Sequence, residues 1–204
     1  QSSSAASDVY KRQGAEDHPE IGRQDLQGLN LGSDDVVVGI ATSGRTPYVI
    51  GALDYATEVG AYTIGFSCNA GSQLSQHCTT MIAPVVGPEV ISGSTRMKAG
   101  TATKMVLNIL TTGAMVRIGK TYGNLMVDLR ATNSKLTMRS RRILSEMTGL
   151  SPEEAEPLLH ACDGELKTAI VAHLAGINPD DARARLKKAN GHLRRSLQAS
   201  GRES

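Results

Sequence analysis

Residues 35–42, DVVVGIAT, constrain the fold of this chain more than any other segment. The run has strand length, is β-branched, and is apolar enough to be buried on both faces, as strands are where helices cover both sides of a parallel sheet. SGRTP follows, then a helical pattern over 47–59 that Gly60 stops. Residues 61–68, AYTIGFSC, read as a second buried strand, NAGSQ after it as turn chemistry, and residues 79–85 as a third strand. Strand, helix, strand, loop and strand at this spacing predict βαβ units. The fold class is α/β, a parallel sheet with flanking helices.

The rest of the chain reads as helix. From Ser94, the residues Met97, Met105, Leu107, Leu110 and Met115 supply apolar faces through about Ile118, and a second long helix is expected over 124–147. TGLSP at 148–152 breaks the pattern: Ser151 can cap, Pro152 suits the first helical position, and Glu154 stands three residues after the cap. Helices near 152–161, 164–175 and 179–189 make a small C-terminal three-helix bundle. Three regions are therefore expected: a non-native or disordered leader over 1–13, the sheet domain over 14–148, and the bundle with a frayed tail over 149–204. The leader, QSSSAASDVYKRQ, lacks the apolar centre of a signal peptide. Residues 14–34 should hold a loop and a short helix.

Composition narrows the function. Lys and Arg total 22 against 20 for Asp and Glu, so no basic field marks a nucleic-acid binder. Aromatics are 3% of the chain, with no Trp, which removes base-stacking platforms as well. No apolar run reaches the ~18 residues of a membrane span. Cys68, Cys78 and Cys162 stand at no metal-ligand spacing and read as thiols in a reducing compartment, which points to the cytoplasm.

Two loops carry chemistry. Ligands of open parallel sheets bind outside the carboxyl ends of the strands, and ATSGRTP at 41–47 lies between a buried strand and a helix. Its small residues let a ligand approach the backbone, while Ser43, Gly44, Arg45 and Thr46 offer hydroxyls, free N–H groups and a positive charge to an anion. The bland alternative is that Thr46 merely caps the helix opened by Pro47. The second loop is GPEVISGSTRMKAGTATK at 87–104, where Ser94, Thr95, Arg96 and Lys98 gather at a helix start. Cations there oppose the helix dipole and are explained by an anion bound nearby. Alternatively, Arg96 pairs with Glu89 and Lys98 is solvated.

GPEVISGSTRMKAGTATK resembles the signature shared by N-acetylmuramic acid 6-phosphate etherases and the glucokinase regulatory protein. VVVGIATSGRTPYVIGAL, NLMVDLRATNSKL and GAED resemble the etherase branch in particular. The resemblance runs from about Gly14 to the C-terminus. It implies a three-layer sugar isomerase (SIS) domain that binds a phosphosugar without cofactor or metal, a homodimer, and a terminal bundle like the ubiquitin-associated fold. It implies a lyase of cell-wall sugar recycling that splits the lactyl ether of N-acetylmuramic acid 6-phosphate. A sugar-phosphate-binding regulator and a phosphosugar isomerase are the alternatives. By resemblance Glu16, in GAED, is one of two catalytic glutamates. Its neighbours Asp17, Glu20 and Asp25 make it unremarkable from the residues alone. The other glutamate is expected upstream of this chain's start, so the chain alone is expected to be inactive. Ser43, Gly44, Arg45, Thr46, Ser94, Thr95 and Arg96 are the expected substrate contacts, with Glu89 either a contact or a support for its loop.

Overall fold

The structure is a computed structural model that describes residues 14–130 and 133–198. The expected leader over 1–13 and the end of the tail lie outside the described residues. Strands β1 (Val36–Ile40), β2 (Tyr62–Phe66) and β3 (Thr80–Ile82) form a parallel sheet in that order. Val36 pairs with Tyr62 and Ile40 with Phe66, and the register continues from Phe66 to Ile82. The third strand is shorter than the apolar run 79–85 promised. Pro84 has no N–H to give the ladder, so pairing stops before it.

Helix α1 (Pro19–Gln27) lies against α2 (Pro47–Glu58), and α2 covers one face of the sheet. Gly39 makes the closeness possible: a Cβ there would meet Leu53 Cδ1 at 2.7 Å. Leu53, Ile50, Ala41 and Leu74 form the core beneath. On the other face, helix α3 (Lys98–Arg117) brings Ala99, Ala102 and Val106 against Phe66 and Ile82. Helix, sheet and helix make the three layers of the expected α/β fold. Burial of β1 on both faces does not hold, because Val36 and Ile40 are 58% and 38% exposed. Side chains alternate across a strand, and α2 covers only the face that carries Val37 and Gly39.

Helices α1 and α2 meet backbone to backbone. A Cβ on Gly22 would stand 2.1 Å from the Tyr48 carbonyl oxygen, and one on Gly51 would stand 2.1 Å from that of Pro19. Side chains then fasten the crossing. Tyr48 Oη donates to Asp25 Oδ2 at 2.6 Å, and the Arg23 guanidinium grips Glu58 with both of its terminal nitrogens.

The chain divides into two compact units, the first ending at Leu107 and the second starting at Asn108, within α3. After the end of α3, the second unit forms a hairpin of β4 (Thr121–Tyr122) and β5 (Leu125–Met126), where Gly123 turns with φ +56°. A helix expected over 124–147 therefore begins late, as α4 (Ser134–Thr148). Asn133 Oδ1 accepts from Leu136 N and caps it. The expected capping box is present at the start of α5 (Pro152–Ala161), with Ser151 and Glu154 exchanging hydrogen bonds. Helices α6 (Leu166–Ala175) and α7 (Pro179–Lys188) follow, then a short α8 (Leu193–Gln198) that the sequence reading did not include. Six residues are too few for periodicity to show. Leu166 and Ile170 stand at the centre of this core, which also takes Ile143 and Leu144 from α4.

Candidate active site

The loop after β1 is built for close approach. Gly44 is buried at φ +71°, and a Cβ on it would fall 2.3 Å from Ser72 Oγ. Its N–H donates to Ala41 O at 2.8 Å, and its carbonyl accepts from Leu74 N at 2.9 Å. Asn69 Nδ2 donates to Thr42 O at 3.0 Å, and Ser67 and Ser72 share a hydroxyl hydrogen bond of 3.1 Å beneath. With its backbone held from below, the loop turns Ser43 and Arg45 to solvent. Thr46 occupies the N-cap position of α2, yet its side chain makes no cap hydrogen bond. The bland reading of Thr46 as a hydroxyl cap therefore fails. Pro47 leaves the first helical position with no N–H to satisfy.

Glu16 arrives at the same place from the other side. Its carbonyl accepts from Tyr48 N at 3.1 Å, at the first turn of α2, and Ala15 beside it is buried. The glycine-lined crossing of α1 and α2 lies next to this junction, with Gly22 against the Tyr48 carbonyl. Among its acidic neighbours, Asp25 is bound to Tyr48 and Glu20 to His18. The hydrogen bond to its own backbone, then His18, hold the Glu20 carboxyl below its ordinary value. Glu16 is exposed, and its carboxylate makes no hydrogen bond among the described residues.

The second loop ends differently from its expected form. Glu89 turns both carboxylate oxygens on the start of α3, accepting from Lys98 N at 3.0 Å and Ala99 N at 3.1 Å. The Lys98 and Ala99 amides hold its carboxyl below the ordinary carboxylate range. Lys98 Nζ donates to Pro88 O at 2.9 Å. Glu89 thus occupies the first amides of α3, while neither cationic side chain is hydrogen-bonded to its carboxylate. The alternative pairing of Glu89 with Arg96 is not made, and Lys98 is bound rather than free. A turn at Gly93, closed by Ser94 N donating to Ile91 O at 3.1 Å, leaves Thr95 and Arg96 exposed and Ser94 half-buried.

Cys68 joins the two loops across the end of β2. Its N–H donates to Thr42 O at 2.9 Å, and its buried side chain belongs to the cluster that includes Ala99. Burial, then the nearby Glu89 charge, push its thiol up. Sequence reasoning missed Ser67, Asn69 and Ser72, which support the first loop. The signal was present as a polar NAGS run directly after a strand. A cleft of about 540 Å³ lies elsewhere, in the second unit among Asp128, Glu165, Lys167 and Arg183. Those charges are paired with one another or with near neighbours.

Residues 18–113 match the SIS domain family. A protein of Rhodopirellula baltica named N-acetylmuramic acid 6-phosphate etherase is 69% identical over 161 residues, 79% of this chain and 53% of that protein. Proteins of the same name from Vibrio vulnificus and Clostridium botulinum are 57% and 56% identical over 77% and 78% of the chain, which covers 52% and 53% of them. The chain thus spans about half the length of the curated relatives it matches. The resemblance first drawn from GSTRMK and GAED is borne out by these names and by the SIS match.

Proposed function

We propose, for a chain that carries an SIS domain and whose relatives are named N-acetylmuramic acid 6-phosphate etherases, that it supplies the substrate loops and one catalytic carboxylate of such an etherase. The reaction converts N-acetylmuramic acid 6-phosphate and water to N-acetylglucosamine 6-phosphate and D-lactate. In the open-chain sugar the C1 aldehyde acidifies the C2 proton. A base removes that proton, an acid protonates the ether oxygen, and the C3–O bond breaks to release lactate. Water then adds at C3 and the proton returns to C2. Two carboxyl groups serve, provided their environments separate their proton affinities.

What carries the reading is the tie between Glu16 and the start of α2, beside the first loop. Glu16 acts as general acid or base, while Ser43, Gly44, Arg45, Thr46, Ser94, Thr95 and Arg96 hold the phosphosugar. Exposed Arg45 and Arg96 support a charge-assisted grip on an anion. The proposed SIS region extends to about residue 148, with the terminal bundle after it. The enzyme works as a homodimer in the cytoplasm, where reducing conditions suit three free cysteines. No helix of the described residues is long and apolar enough to cross a membrane.

The test replaces the aligned stretch of the Rhodopirellula baltica relative with this chain's residues and supplies N-acetylmuramic acid 6-phosphate. D-lactate and N-acetylglucosamine 6-phosphate should appear together. A ketose phosphate without lactate would make the site an isomerase, and tight binding without turnover would make it a sensor.

A further inference from the structure

Helix α3 presents the arrangement usually associated with anion binding, an N-terminus with free amides and cations near it. In this chain that seat is already taken. Glu89 lies nine and ten residues before its partners, and it reaches back to place one oxygen on Lys98 N–H and the other on Ala99 N–H. Lys98 folds its ammonium onto Pro88 O, beside Glu89, so the connection closes on itself from both ends. Between these anchors the chain runs out through Gly93 at φ +81° and returns through Ser94, Thr95 and Arg96. Arg96 then stays unpaired among the described residues, although it is close in sequence to a carboxylate.

We infer that Glu89 is a positioning residue that closes the N-terminus of α3 as an internal anion, excluding the substrate's phosphate from the Lys98 and Ala99 amides and holding Ser94–Arg96 out as a preformed loop. The inference rests on the reading that this end of the sheet takes a phosphosugar. It divides the labour between the loops. The α3 amides serve the protein's own carboxylate, and only the side chains of the second loop meet the ligand. A bound phosphate on those amides would have to displace Glu89 and leave its charge beside another anion.

The measurement is an amide nitrogen–proton NMR titration of the full 204-residue chain with inorganic phosphate at neutral pH. In the parent, the Lys98 and Ala99 resonances should stay still as phosphate rises. Glu89→Ala removes the plug, so the same amides should now move with phosphate, binding it about tenfold or more tightly than the parent does. Glu89→Gln keeps an acceptor without the charge and should lie between the two. It also serves if the Ala variant loses its folded spectrum. Parent amides at 98 and 99 that titrate with phosphate overturn the inference, as do variants in which neither amide responds. Lactate release in the hybrid enzyme is a separate readout. Its absence beside silent parent amides and responsive variant amides removes the proposed function and leaves the Glu89 assignment standing.

Discussion

Glu16 and Glu89 show how little residue type says about role. Both are glutamates in loops that lead to helices at the same end of the sheet. Glu89 spends both oxygens on backbone N–H groups, whereas the Glu16 carboxylate has no partner among the described residues and only its backbone is tied. A group that exchanges protons with a substrate must be free to do so, and of the two Glu16 meets that condition. Glu16→Gln in the hybrid enzyme should cut lactate release by ~10²–10⁴-fold, the usual cost of losing a general acid or base. Steady-state lactate assays check this, and a variant within a factor of a few of the parent would return Glu16 to the solvated charges. Nothing in GAED as bare residues distinguishes Glu16 from Asp17, Glu20 or Asp25. The distinction came from family resemblance and then from contacts, since Asp25 and Glu20 are claimed by Tyr48 and His18.

At the scale of elements, the contact that matters most to the candidate site is the one between α1 and α2. It has almost no side-chain content at its centre, because Gly22 and Gly51 let each helix touch the other's backbone. Gly51→Ala keeps the helical propensity of α2 and still forces a methyl into Pro19 O. Overpacking of this kind costs about 1–3 kcal/mol. Relief by moving α1 would also pull Glu16 from Tyr48, so activity of the hybrid enzyme should fall together with the melting temperature. Unchanged lactate release with a lowered melting temperature would show that Glu16 does not depend on the crossing. Strands β1 and β2 and helices α2, α5, α6 and α7 were legible within a residue or two, because apolar runs, Pro at helix starts and the Ser151 capping box are local. The hairpin at Gly123 and the late start of α4 were not. Their residues can read as helix, and only a positive φ and the Asn133 cap decide otherwise.

For the molecule as a whole, two part-buried, cation-paired carboxylates of the second unit should contribute to acid sensitivity. Asp128 lies between Lys167 and Lys120, each at 2.9 Å. Burial raises its carboxyl affinity for a proton, but the hydrogen bonds from Lys167 and Lys120 outweigh it and hold the carboxyl below its ordinary value. Glu165 is lowered in the same way, burial being outweighed first by Arg183 and then by Arg130. A carboxylate depressed in the folded state contributes stability above its unfolded pKa, and that contribution disappears as pH falls through the lower folded value. The melting temperature should therefore hold from neutral pH down to about 4 and fall steeply below it. In thermal melts across that range, Asp128→Asn should start lower at neutral pH and show a shallower acid fall. Equal slopes for parent and variant would remove Asp128 from the account.

The sequence by itself determined what depends on near neighbours in the chain. A β-branched run between turn residues makes a strand, Pro and Ser place helix starts, and the GSTRMK signature pointed to the family that the relatives' names share. Tertiary structure decided what depends on residues meeting across the fold. It left one face of β1 open because α2 covers only the other, and it supported the first loop from Asn69 and Ser72, more than twenty residues away. It also set Glu89 on the first amides of α3. Local propensity is a property of adjacent backbone and side-chain torsions. The partner of a charge or of a bare glycine is set by which surfaces the packed chain brings together, and no window of sequence contains that information.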